Sequence, residues 1–538
     1  MMRRAVPKTP PRHLHPAGNI PIMTETKVHA PRHCGRPDTI GSITVDMSTA
    51  TTLSPQASMG ELHAVARRFA AAAPACDYWT LRLVDEVQEG LAVRDDVPEP
   101  SSIGASRGAM ITIVAGAGIG YAATADLSPA GLAAAAERAA AATALHGRLG
   151  LFDAKLAPRT AVRDAYHSPV EQPWTQMTLA DKLGLLSDAC ARLDLGERIV
   201  ERAAWLGHRR VSQLLVSSDG AHIEQGFDFV HAGLAATAHI AGQTQTRTGG
   251  GQDHPGQGGL ERLAVAPLLE DAERVAGEAI ALCEAPECPS GQRDLLLLPS
   301  QMTLQIHESI GHPLELDRIL GDERNYAGLS FVTPDMFGTY RYGSSLLNVT
   351  FDPTLAGELA SYAADDDGSP ARRVHLIRDG ILERPLGGEL SQRRARLSGA
   401  ACARACAWDR PPIDRMANIN LEPNEEGLDE MIARVERGVL MDSNRSWSID
   451  DSRNKFQFSC ELGRLIEDGE LKGLVRNPGY RGVSARFWRS LDGVGGPQTL
   501  EVRGVRNCGK GEPNQSVYVG HASPPCLFRD IDVFGGGL

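Results

Sequence analysis

The stretch Asp294-Leu-Leu-Leu-Leu298-Pro299-Ser300-Gln-Met-Thr-Leu-Gln-Ile306-His307-Glu308-Ser-Ile-Gly311-His312-Pro313 decides how the rest of the chain is read. Four leucines in a row fit a strand buried on both faces. Pro299 suits the first turn of a helix, and Ser300 is placed to cap it. That helix runs into His307-Glu308-x-x-x-His312, one residue longer than the HExxH pattern, in which histidines at i and i+4 hold zinc and the glutamate activates its water. At 3.6 residues per turn an i+5 histidine lies about 140° around the helix from the first, so a regular helix would not bring both to one ion. Gly311 admits unusual backbone angles, and Pro313 disfavours the helical conformation at His312. The pattern therefore predicts one wide, π-type turn, or a helix that ends inside the motif. The competing reading makes both histidines ordinary polar residues at a helix end, paired with Glu308 or Glu315.

Working outward towards the N-terminus, Glu61–Phe69 has helical spacing, with Leu62, Val65, Ala66 and Phe69 on one face. Tyr78–Val87 and Leu91–Val97 read as a hairpin turning at Glu89-Gly90, and Ala109–Ala115 as a further strand. Ser128-Pro129 opens a helix running towards Ala144. The glycines of Gly116-Ala-Gly118-Ile-Gly120 do not have phosphate-loop spacing, because a strand-like stretch, Tyr121–Ala125, comes before that helix. A helix is expected over Thr178–Leu193, then strands over Arg198–His208 and Ser212–Gln225, a reversal at Ser218-Asp219-Gly220 and a strand over Phe227–His239. Residues 248–259 read as a mobile glycine-rich loop with Asp253 and His254 in solvent, followed by a helix over Gly259–Ala285. Beyond residue 345 short strands dominate, with reversals at Asp367-Gly368, Asp379-Gly380 and Asp468-Gly469. The fold class is α+β, in which an N-terminal α/β domain (51–270) precedes a mainly antiparallel β domain (271–538) carrying the metal helix. Residues 1–50, basic and proline-rich, are read as a disordered extension, with Met23, Met47 and Met59 as alternative starts.

Bulk properties exclude several function classes. A net charge of -12 argues against a nucleic-acid binder, which needs a basic surface. No apolar run is long enough for a membrane span, and the N-terminal residues lack the apolar core of a secretory signal, so the expected location is cytoplasmic. The 10 cysteines are then expected to be reduced thiols. Neither Cys283/Cys288 nor Cys402/Cys406 has the tight spacing of a zinc knuckle.

A catalytic zinc takes three protein ligands and leaves one position for water, so a third donor must come from elsewhere in the chain. Many residues qualify. Cys508 stands out because Asn507-Cys-Gly-Lys-Gly511 sets a thiol among small, turn-forming residues, with Lys510 placed to favour the thiolate. A lone cysteine is equally read as a small buried hydrophobe.

His307-Glu-Ser-Ile-Gly-His-Pro-Leu-Glu-Leu-Asp317 resembles the metal helix of the TldD/PmbA peptidases, and Asn507-Cys-Gly-Lys-Gly-Glu-Pro-Asn-Gln-Ser-Val517 is similar to that family's C-terminal zinc-cysteine segment. Ala122–Pro129, Pro412-Ile-Asp-Arg-Met-Ala-Asn418 and Asp532-Val-Phe-Gly-Gly-Gly537 add to the likeness, which runs from about residue 60 to the C-terminus. Only the catalytic TldD half of the family carries HExxxH; its TldE or PmbA partner does not. The resemblance therefore implies a zinc-dependent peptidase acting on unfolded or extended peptides, with His307, His312 and Cys508 holding one zinc ion and Glu308 as general base. It also implies a dimer, with a TldE/PmbA-like subunit or with itself. Arg415 and Asn418 are selected as substrate contacts. Two rival functions share the same residues: a zinc amidase or deacylase acting on a small molecule, and a non-catalytic scaffold with a structural metal.

Overall fold

Leu81, Leu83, Leu91 and Val93 all point to one side of a single 17-residue strand, Tyr78–Arg94, in the computed structural model of the chain, which describes residues 58–155, 161–249, 254–511 and 514–536. The predicted hairpin at Glu89-Gly90 is absent. Gly90 stays in the strand, paired with Ser102 on one side and Gly207 on the other, and a Cβ there would sit 2.6 Å from the Ser102 hydroxyl oxygen. Its glycine thus marks a close cross-strand approach. The chain turns instead at Asp95 and Asp96, both in the left-handed region. Likewise, the two strands expected over 198–225 are one strand, Ile199–Ser217, followed by the predicted reversal and a second long strand, His222–Ile240.

These strands make an antiparallel sheet in the order Gly118–Thr124, Ser102–Ala115, Tyr78–Arg94, Ile199–Ser217, His222–Ile240, with Arg163–His167 added in parallel at the end. Its helices do not alternate with parallel strands, so the first half of the chain is α+β and not the expected α/β. All four helices pack on one face. Met59–Ala72 and Pro129–Leu149 cover one end around Leu62, Phe69, Leu81 and Ile111. Leu179–Arg192 and Leu268–Glu284 cover the other, around Leu91, Val230, Leu186 and Val275. The glycines of the 116–120 stretch serve packing: a Cβ at Gly118 or Gly120 would lie within 2.3 Å of a carbonyl oxygen of the Pro129–Leu149 helix. The long helix expected from Gly259 is split by Pro267 into a 3-10 turn, Leu260–Ala264, and Leu268–Glu284. Leu268–Glu284 contributes Leu268, Val275, Ile280 and Cys283 to this first core.

The 1–50 extension and Asp253 lie outside the described residues. His254 is not in solvent; it is half-buried, and burial pushes its pKa down to about 4.

A second sheet closes on itself. Gly291–Leu297 pairs in parallel with Arg437–Ile449, and the order continues antiparallel through Lys455–Glu467, Pro478–Val483 and Cys526–Gly535, which returns to pair with Gly291–Leu297. This central position explains the leucine run, with Leu295, Leu296 and Leu297 fully buried. A small sheet built around Val349–Phe351, Val374–Arg378 and Ile419–Leu421, and a ribbon of Glu501–Lys510 with Gln515–Ser523, complete the surroundings of the helix that follows the leucines. Among the described residues no helix is long and apolar enough to cross a membrane, and the nine described cysteines are all free thiols.

Candidate metal centre

The helix Pro299–Ile306 is capped by nothing on Ser300, whose hydroxyl turns away to donate to Asp442 and to accept from the Ser443 amide at 3.0 Å. Its inner line, Met302, Ile306, Ile310 and Leu314, enters the largest apolar core. Between Ile306 and Leu314 the helix widens. His307–Gly311 is a π turn in which the His312 amide donates to the His307 carbonyl, five residues back, as the spacing predicts. The reasons differ from those expected, since both Gly311 and His312 keep helical angles. Gly311 is needed for room: a Cβ would meet the Met416 sulfur at 1.9 Å. Around the turn Tyr342 donates to the Ser309 carbonyl, and Trp488 Nε1 donates to the Ser309 hydroxyl at 2.9 Å. The Tyr342 bond satisfies a carbonyl that the widened turn would otherwise leave buried without a partner, while the Ser309 hydroxyl also bonds Gln305.

The π turn brings the two imidazoles together, with ring centres 4.8 Å apart. Cys508, on the Glu501–Lys510 strand, joins them: one ligand-capable atom from each of His307, His312 and Cys508 lies within 4.8 Å of the others, and Cys508 Sγ is 3.6 Å from His312 Nε2. Each histidine's other nitrogen is already committed. His521 donates through Nδ1 to the Ile419 carbonyl at 2.9 Å, so its Nε2 is an acceptor, and His307 Nδ1 donates to it at 2.9 Å. His312 Nδ1 donates to Glu315 at 2.9 Å. Both Nε2 atoms are therefore left as bare lone pairs facing the sulfur. Burial pushes His307 down to about 4 and also lowers His312, so both rings are neutral near pH 7.

Electrostatics set the remaining charges. Burial alone would raise the Cys508 thiol, but Arg415, 3.0 Å from its sulfur, and His312 bring it below its ordinary value. Lys510, expected to favour this thiolate, points elsewhere, to Asp317 at 2.6 Å and Glu315 at 3.3 Å. Burial would likewise raise Glu315, yet Lys510, His312 and Arg318 hold it well below the usual carboxylate range, so it accepts from His312 as an anion. Two neutral imidazoles and a thiolate are a donor set suited to zinc.

Glu308 sits beside the triad, its Oε2 taken by Arg453 Nη1 at 2.5 Å. Arg453 itself is in the left-handed region, a strained conformation for a non-glycine residue. Both face a cavity of about 250 Å³, lined also by Leu304, Asn444, Trp447 and Val505. Arg415 and Asn418 do not line it. Arg415 is fully buried against Cys508 and the Gln515 carbonyl, and Asn418 is fully buried among Asp352, Ala360 and Ser361, so neither is placed to touch a substrate. Sequence reading missed His521 and Arg453. The first had a signal: Cys508 pairs with Val517 across the ribbon, and period-two alternation puts His521 on the same face as Val517. Arg453 lies in a turn and had none.

Two family models match the chain, the PmbA/TldA metallopeptidase C-terminal domain over residues 290–535 and domain 1 over residues 79–143. A metalloprotease of Methanothermobacter thermautotrophicus is 29% identical over 68% of this chain and 76% of its own length. A protein of Saccharolobus solfataricus named zinc metalloprotease TldD homolog is 25% identical over 36% of this chain and 41% of its own. Among solved structures, TldE from Thermococcus kodakarensis superposes with a TM-score of 0.65 at 14% identity, covering 89% of this chain and 100% of that one, a likeness of fold alone.

Proposed function

This chain belongs to the PmbA/TldD metallopeptidase family, and from that premise we propose that it is the catalytic, TldD-type member: a zinc-dependent peptidase that hydrolyses unfolded or extended peptides. One observation carries the reading. Two imidazole lone pairs and a sulfur held towards the thiolate converge in one place, each fixed by its own buried partner. His307, His312 and Cys508 hold the metal, which when bound supplies Lewis acidity and lowers the pKa of its water. Glu308 accepts the proton of the attacking water and returns it to the leaving amine as the amide C–N bond breaks. Arg453 occupies Glu308 Oε2 and so leaves Oε1 for that proton. His521 and Glu315 keep the two imidazoles in the tautomer that ligation requires.

An extended peptide is accommodated by strand addition. The Glu501–Lys510 strand pairs on one side with Gln515–Ser523, and its Arg503–Val505 portion lines the cavity next to the triad. Main-chain bonding there would be indifferent to side chains, which suits unfolded substrates. A TldE-like fold partner, or a second copy, completes the assembly in this reading. The decisive experiment is Glu308→Gln, which keeps the shape and a hydrogen bond from Arg453. We expect bound zinc to remain and peptide cleavage to fall about 10²–10⁴-fold. Undiminished turnover would remove Glu308 from its role.

A further inference from the structure

Among the described residues one other group of metal-ligating side chains converges, and it contains none of those at the HExxxH helix: His63, His222 and Glu224. Strand alternation sets up half of it. His222 and Glu224 are two positions apart on the His222–Ile240 strand, opposite Val216 and Leu214, so both project from the face on which the helices pack. The Met59–Ala72 helix crosses that face and supplies His63. Nε2 of His63 lies 2.9 Å and Nε2 of His222 lies 3.4 Å from the same oxygen, Oε1 of Glu224. The two rings are stacked, with centres 5.0 Å apart and planes within 3°.

Two hydrogen bonds to one carboxylate oxygen would account for part of this arrangement. The spacing points further. In a tetrahedral zinc site with bonds of about 2.0–2.2 Å, neighbouring donor atoms stand about 3.3 Å apart. Both N···O separations are near that edge length, and the two histidines offer ring nitrogens within 4.8 Å of each other, so turning one imidazole out of the stack closes the third edge. Two imidazoles with a glutamate form a ligand set that zinc uses, and imidazole favours transition ions over calcium or magnesium. The side chains are 22%, 42% and 29% exposed, which leaves an ion open to water for its fourth position.

We propose that His63, His222 and Glu224 form a second zinc-binding site, separate from the catalytic centre, that fastens the first helix to the sheet. Binding draws the two imidazoles and the carboxylate onto one cation, replacing the direct His63–Glu224 bond, and so ties residues that are 159 and more positions apart in sequence. The site is weaker than the buried centre, because all three ligands are solvated without the ion.

The test uses the full chain carrying Cys508→Ala, titrated with Zn²⁺ against a chromophoric chelator and, separately, with Co²⁺. The expected result is one equivalent of Zn²⁺ that is bound at least tenfold more weakly after His222→Ala or His63→Ala. Its Co²⁺ form should show d–d absorption with no sulfur-to-cobalt band. Zn²⁺ should raise the melting temperature of the Cys508→Ala chain, and Glu224→Gln, which keeps a hydrogen-bond acceptor for His63, should abolish that rise. Equal zinc binding with and without His222→Ala, or a zinc-induced rise that survives Glu224→Gln, would overturn the proposal. Should Cys508→Ala not fold, wild type is compared with His222→Ala: two equivalents against one supports the second site, and equal stoichiometry refutes it.

Discussion

Replacing His521 by alanine tests the centre at a residue that would not touch the metal. The imidazole is fully buried and makes two bonds, accepting from His307 Nδ1 and donating to the Ile419 carbonyl, each at 2.9 Å. Alanine leaves both of those groups buried without a partner, at about 1–3 kcal/mol each, so the metal-free protein should lose about 2–6 kcal/mol of stability. It also frees His307 to change tautomer and to turn its Nε2 away. Loss of such an outer partner lowers metal affinity about 10–100-fold, equivalent to about 1.4–2.7 kcal/mol. Glutamine supplies the control, because its carbonyl can accept from His307 while its amide donates to Ile419. The assay is zinc competition with a chromophoric chelator at neutral pH, alongside thermal melting of each variant. Alanine should show the full loss in both measurements and glutamine most of the recovery. If His521→Ala binds zinc within about twofold of wild type, the tautomer relay is wrong.

Two further outcomes follow from packing and charge. Gly311→Ala puts a methyl group against the Met416 sulfur in the middle of the π turn, and overpacking of this kind should destabilise by about 1–3 kcal/mol in chemical denaturation while also lowering zinc content. Burial holds His231 at about 3 and His254 and His307 at about 4. Unfolded histidines, near 6.5, bind protons below that pH that these three do not, so each contributes stability to the metal-free protein that is lost as pH drops from about 6.5 towards 4, while Asp414, raised to about 7, and Glu358 and Asp365, raised by burial, contribute in the opposite sense. A ring-proton titration of the folded, metal-free protein in which any of these three histidines charges near 6.5 would contradict this burial.

The parts of the molecule that were legible in sequence are those set by short-range periodicity. His307 and His312 at i and i+5 are irreconcilable with an ordinary helix, and the π turn is what that conflict demands. The leucine run at 295–297 reads as a buried strand, which it is. What was not legible depends on partners far along the chain. Gly90 looks like a turn residue until Ser102 is known to lie against it. Ser300 looks like a cap until Asp442 competes for its hydroxyl. Lys510 is two residues from Cys508 and on the same side of the strand, but its ammonium is drawn to Asp317 and Glu315, while the cation that does approach the sulfur, Arg415, arrives from 93 residues away. Charges around a buried site are assigned by tertiary approach, and neighbours in sequence are poor guides to it.

The closure of the second sheet also bears on biosynthesis. Gly291–Leu297, which leads into the HExxxH helix, is flanked on one side by Arg437–Ile449 and on the other by Cys526–Gly535. A ribosome that has just finished the helix has made neither neighbour, nor the sulfur at Cys508, nor the imidazole at His521. The polypeptide must be translated through residue 535 before the ring can shut around this helix. On the proposed function, hydrolytic competence is consequently among the last properties the nascent chain acquires, and incomplete translation products released before Cys508 would lack one of the three metal ligands.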